Sequence, residues 1–204
     1  MPLQKLHLTA LEITHSLTQA QIDSIVTEIG PEVIEKMTDY TLHHRARLIK
    51  PMISYDGAAL ALSFLPAAGE SLPKPISPPG QASTENDQRT SKDDVFTYHH
   101  LRKELFDIVS TKVKVDSRYV VPSSHITIGR FLTQEEHDSP EKMRRFLQKI
   151  DDVNSWLEEK YWPREGEERD AGKEWVVGTE KGLECREGSL WYGGGTTVRL
   201  GKGF

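Results

Sequence analysis

The amino-acid sequence predicts an α+β protein built on antiparallel sheet. Short apolar runs with alternating character recur along the chain, and stretches with helical periodicity and clear end signals fall between them. An Asp56-Gly57 pair also joins two adjacent strand-like runs, which is a hairpin signal. Local motifs in this order, without repeated strand-helix-strand units, belong to the α+β class.

Residues 5–14 alternate and are rich in branched side chains, which predicts a strand. Thr18 and Gln21 then form a capping box, with Leu17 against Ile22 as the hydrophobic staple. Ile22, Ile25, Val26 and Ile29 recur at helical spacing up to Gly30, a stop signal, and PEVIEKMTDY follows as a short second helix. Pro51 marks the first hairpin strand as an edge strand or as bulged. Between 66 and 94 the composition shifts to prolines and then to GQASTENDQRTSKDD, which predicts a disordered insertion in a single domain covering 1–204.

From about Phe96, the stripe Leu101, Leu105, Ile108 and Val109 predicts a helix. RYVVPSSHITIGRF reads as a strand interrupted at Pro122. Ser139-Pro140-Glu141 is a helix start, and Met143, Phe146, Leu147, Ile150, Val153 and Leu157 carry that helix to about Tyr161. EWVVG, GLECRE and TTVRLG complete the chain as short strands.

Composition narrows the function. A net charge of −5 over 204 residues argues against wrapping of duplex nucleic acid, while leaving room for a small anion in a local pocket. One cysteine, Cys185, excludes an internal disulfide and any CxxC metal knuckle. No membrane-length apolar run and no signal-peptide layout are visible, so a cytoplasmic or nuclear protein is expected.

Against that background one pattern stands out. HLT at 7–9 and HIT at 125–127 repeat His-x-Thr in matching apolar settings, 118 positions apart. On a strand, residues i and i+2 share a face, so His7 with Thr9 and His125 with Thr127 each present an imidazole beside a hydroxyl. Leu6, Leu8 and Ala10, like Ile126 and Ile128, fill the opposite faces. Two imidazoles flanking a phosphate suit acid–base chemistry at neutral pH, and hydroxyls can donate to its non-bridging oxygens.

LHLTALEITHS and SSHITIGRF resemble the two motifs of the two-histidine phosphoesterases, the RNA ligase/cyclic nucleotide phosphodiesterase superfamily, in a fungal-type branch. The resemblance covers most of the chain outside 66–94. It implies a bilobal fold, two antiparallel-sheet lobes with outer helices around a central groove. His7 and His125 would be general acid and base, and Thr9 and Thr127 phosphate binders. It further implies a metal-independent, cofactor-free enzyme acting on cyclic-phosphate or 2′,5′-linked nucleotides or RNA ends. Only six residues precede His7, so the first lobe is expected to lack its opening strand. A nucleotide- or RNA-binding module of the same fold, without competence in catalysis, is the alternative.

Two further residues join the expected site. Arg130 is similar to a basic residue after the family's second motif, although strand parity sets it opposite His125 unless the strand bulges near Gly129. Tyr192, before the glycine run 193–195, would lie along the groove and could stack on a base. The pairs His43-His44 and His99-His100 do not read as metal ligands, because adjacent side chains diverge on strand or helix alike. His15 is read as ordering the helix start, and Trp156, Tyr161 and Trp162 as packing.

Overall fold

The computed structural model describes residues 2–69, 94–118, 123–164, 172–190 and 194–204. Its helices start where side chains can satisfy the free amides of a first turn. Thr18 accepts from the Gln21 amide at 3.4 Å, while the Gln21 side chain accepts from the Thr18 amide at 2.9 Å, opening α1 (Gln19–Ile29). Gly30, at φ +76°, ends it, and Pro31 begins α2 (Pro31–Thr38). Thr97 and His100 form a second capping box for α3 (Tyr98–Ser110). Ser139 and Pro140 open α4 (Pro140–Tyr161) as the sequence predicts.

The main sheet is a hairpin with one neighbour on each side. β1 (Arg47–Tyr55) and β2 (Ala59–Pro66) are antiparallel, and β3 (Ser124–Arg130) and β4 (Glu174–Val176) complete the order β3-β2-β1-β4. Asp56 sets the hairpin turn, its carboxylate accepting from the amides of Ala58 (2.7 Å) and Ala59 (2.8 Å). Of the two alternatives at Pro51, edge strand or bulge, the bulge is present: the register slips between Ile49 and Met52, and Lys50 takes φ +53°. The carbonyl this exposes at Pro51 accepts from the Trp162 indole at 3.0 Å. Lower on β1, Asn154 of α4 stands in for a strand neighbour, accepting from the Ile53 amide (2.6 Å) and donating to its carbonyl (3.1 Å). A second, smaller sheet pairs β5 (Lys181–Glu187) with β6 (Thr196–Lys202).

Residues 5–14 depart from the predicted strand. Leu3–Lys5 form a 3-10 turn, and the segment makes one isolated antiparallel bridge, Leu8 to Ile126. The reason lies in two cores that it must serve. Leu8 and Ala10 pack with Leu48, Tyr98, Leu101 and Leu105, Ile13 packs with Ile29, Ile34, Val109 and Val113, and Leu11 lies against both groups. Adjacent Ala10 and Leu11 both turn inward, which strict alternation forbids. Helix α3 spans both cores.

Two arginines pin the periphery. Arg47 lies 3.5 Å from Glu174 and 4.0 Å from Asp94, and its carbonyl accepts from the Ala67 amide at 3.0 Å. The two ends of the expected insertion thus meet at one residue; Pro66 itself belongs to β2, and 70–93 fall outside the described residues. Arg199 of β6 donates to both carboxylate oxygens of Asp39 (2.9 and 3.0 Å), to Glu35 (2.9 Å) and to the Thr38 hydroxyl. This fork holds the Asp39 carboxyl down at about 2, with burial opposing and the Lys202 amide assisting.

The same contact needs glycine. A Cβ on Gly182 or Gly201 would overlap the Thr38 carbonyl oxygen at the end of α2. Gly201→Ala is expected to cost about 1–3 kcal/mol in urea unfolding; unchanged stability would mean that the hairpin does not press on α2. The Asp39 carboxyl contributes stability above its ordinary 3.8 and loses it as pH falls toward about 2. In acid titrations monitored by circular dichroism, Asp39→Asn should flatten the unfolding curve in that window.

Candidate functional site

The Leu8–Ile126 bridge brings the two His-x-Thr segments side by side. Extending its antiparallel register by one residue each way sets His7 opposite Thr127 and Thr9 opposite His125. Leu8 faces the core beneath, so its flanking residues face the other way. The imidazoles then lie on a diagonal, a spacing of roughly 7–8 Å between such positions.

The rest of that face follows from strand pairing. His125 lies opposite Ser63 and Thr127 opposite Ala61, while Met52 and Ser54 continue the rows on β1. A hydroxyl contact of 2.5 Å between Ser54 and Ser63 fixes them on one side. The floor beside the histidines therefore combines the hydroxyls of Ser54 and Ser63 with Ala61 and Met52, and none of these residues is fully buried. Phe64 and Leu48 point to the opposite face, under α3.

Arg130 joins the histidines, contrary to simple parity. Thr127 pairs with Ala61 and Gly129 with Leu60, so Ile128 is an extra residue. That bulge shifts the alternation by one, and Arg130, opposite Ala59, returns to the His125 face. The expected position for the bulge was Gly129; it sits one residue earlier. Tyr192 lies outside the described residues.

Each imidazole has a partner that orients it. The His7 Nδ1 lies 2.9 Å from the Lys5 carbonyl; since a carbonyl only accepts, Nδ1 carries a proton in this contact. The His125 Nδ1 lies 3.0 Å from the Ser123 hydroxyl. Burial pushes the His125 pKa below the ordinary imidazole value; the Arg102 and His7 charges add to this, while Asp56 opposes it. Asp56 is itself held below the usual carboxylate range by the Ala58 and Ala59 amides, with Arg130 and His125 contributing.

Arg102 and Asp56 are the residues that sequence reasoning missed. Asp56 reads only as a turn residue, and Arg102 lies on a helix whose packing partner is decided by tertiary structure. On α3, Tyr98 and Arg102 both donate to the Thr9 carbonyl at 3.2 Å. The backbone carbonyl of the first motif's threonine is satisfied there. Burial raises the Tyr98 phenol to about 12, so it remains a donor at physiological pH.

Three further histidines have structural roles. His44 stacks on Tyr40 with ring centroids 4.1 Å apart, and His100 caps α3. His15 lies 3.0 Å from the Ser16 hydroxyl at the turn before α1. Among the described residues no group of three His, Cys, Asp or Glu could hold a metal ion. Trp162 anchors to β1 as described, whereas Trp156 is half exposed and meets Tyr161 edge-on.

Comparisons with protein-family models, with curated proteins and with solved structures return no match. Among the described residues no helix is long and apolar enough to cross a membrane.

The bridge gives the site a direct test. Leu8→Ala removes a partly buried core contact, and a loss of about 1–3 kcal/mol is expected. Amide exchange at residues 7–9 should accelerate more than exchange in β1 and β2. Equal acceleration throughout would mean that Leu8 does not specifically hold the first motif to β3.

Proposed function

We propose that the chain is a two-histidine phosphoesterase that opens a cyclic phosphodiester, or cleaves a 2′,5′ bond, in a nucleotide or short RNA end. The observation that carries this reading is the antiparallel pairing at Leu8–Ile126, which draws together two motifs distant in sequence. A phosphate seated over the diagonal has an imidazole on each side and a threonine beside each imidazole. Arg130 adds a positive charge one same-face step beyond Thr127.

The electrostatics favour a division of labour. His125, biased toward the neutral form, takes a proton from the attacking water as the new P–O bond forms. His7, as imidazolium with its Nδ1 proton on the Lys5 carbonyl, gives the Nε2 proton to the departing ribose oxygen. The products are a phosphomonoester and a free hydroxyl, and the two histidines exchange protons with solvent to reset. Threonine hydroxyls and Arg130 counter the charge that grows on the non-bridging oxygens.

His7→Ala and His125→Ala should each lower turnover of a nucleoside 2′,3′-cyclic phosphate by at least about 100-fold, with circular dichroism unchanged. Wild-type turnover in either variant would remove the mechanism. The acid limb of kcat/KM should fall below the ordinary imidazole range, because the base must lose its proton and its pKa is lowered.

One feature favours a second reading, a nucleotide-binding module without turnover. The first motif pairs with β3 through one isolated bridge, and its His7 is exposed. Calorimetry with a nucleoside monophosphate, run beside the turnover assay, separates the two: binding without turnover selects the module.

A further inference from the structure

We propose that Arg102 is a positioning residue of the paired-histidine site, tying the first motif in place from α3 and reserving His125 for the proton-accepting role. The proton-accepting role rests on the phosphoesterase reading; the effect on His125 itself does not.

The geometry carries the proposal. Arg102 donates from Nη1 to the Thr9 carbonyl at 3.2 Å. Thr9 is the residue that the Leu8–Ile126 register sets opposite His125. A guanidinium anchored on that carbonyl stands at the very segment that pairs with the second motif, near enough for its charge to act on His125. It stays charged at any physiological pH, and its planar fork keeps it in place once one arm is bonded. It also shares the carbonyl with Tyr98, whose hydroxyl lies at 3.2 Å, so two donors from successive turns of one helix fix a single backbone atom. No other strand pairs with that side of the segment among the described residues. The clamp thus does two jobs: it closes the edge, and it sets a fixed cation beside the second motif.

Charged groups reach His125 from every element around it. Arg102 comes from α3, Asp56 from the β1–β2 turn, and His7 from the N-terminal segment. Arg130, on His125's own strand, is coupled to Asp56. Ser63 and Ser123 offer only hydroxyls. After burial, which is the largest cause, Arg102 is the charge that acts most on His125, opposing its protonation more strongly than Asp56 favours it. Tyr98 makes the same backbone bond without a charge, which provides an internal control.

The test is the His125 titration followed by NMR of the ring protons in the full chain, a readout independent of any enzymatic activity. Arg102→Gln should raise the midpoint by roughly half a pH unit, Arg102→Lys should keep it low, and Tyr98→Phe should leave it unmoved. In the wild type, added salt should also raise the midpoint, by screening the repulsion. Coincident wild-type and Arg102→Gln curves would overturn the proposal, as would a Tyr98→Phe shift as large as that of Arg102→Gln. If Arg102→Gln does not fold, the salt titration decides: a midpoint indifferent to ionic strength counts against the fixed cation. If the titrations behave as expected but cyclic phosphates are not turned over, the phosphoesterase reading fails and the placement of Arg102 stands.

Discussion

Leu8 and Ile126 meet in an isolated antiparallel bridge, with Leu8 seated on the apolar layer formed by Tyr98, Leu101 and Leu105. The orientation of the first motif depends on that contact. Because side chains alternate along extended backbone, seating Leu8 downward turns His7 and Thr9 upward, and pairing it with Ile126 brings them beside Thr127 and His125. A slip of one residue would bury the imidazole and expose the leucine. Burial of one apolar side chain, of order 1.5–3 kcal/mol when complete, therefore sets the polar geometry above it.

Irregularities of the sheet serve the same face. The extra residue at Ile128 restores Arg130 to the side of His125, and the slip at Lys50-Pro51 keeps Ile49 in line with Leu65 and Met52 with Ser63 across the hairpin. Bulges reverse the alternation locally, so a strand can bury the branched residues its sequence demands and still aim a chosen side chain across the sheet. Away from the site, Arg47 and Arg199 do comparable work by charge. One gathers Ala67 and Asp94, and the other binds the small hairpin to the end of α2.

Sheet edges are closed by side chains rather than by additional strands. Asn154 satisfies both backbone groups of Ile53, Trp162 takes the carbonyl freed at Pro51, and Tyr98 with Arg102 takes that of Thr9. Each substitution exchanges a ladder hydrogen bond for one from a helix, which both satisfies the edge and fixes the helix to it. At Thr9 the closing group also brings charge to the site, and so fold and electrostatics are coupled there.

The sequence by itself determined the α+β class, the capping box at Thr18 and the stop at Gly30, the turn at Asp56, a departure from regular strand at Pro51 and the repetition of His-x-Thr. These are local: a cap, a turn or a periodic stripe is decided by residues within a few positions of one another. It did not determine that residues 5–14 break from strand geometry, that Ile128 rather than Gly129 carries the bulge, or that Arg102 and Asp56 stand near His125. Those features depend on which distant surface each segment meets. Adjacent Ala10 and Leu11 serve two cores, β3 must pair with β2 across a long sequence gap, and Arg102 finds its acceptor on a segment 93 residues away. Tertiary packing chose among conformations that the local pattern left nearly equal in energy.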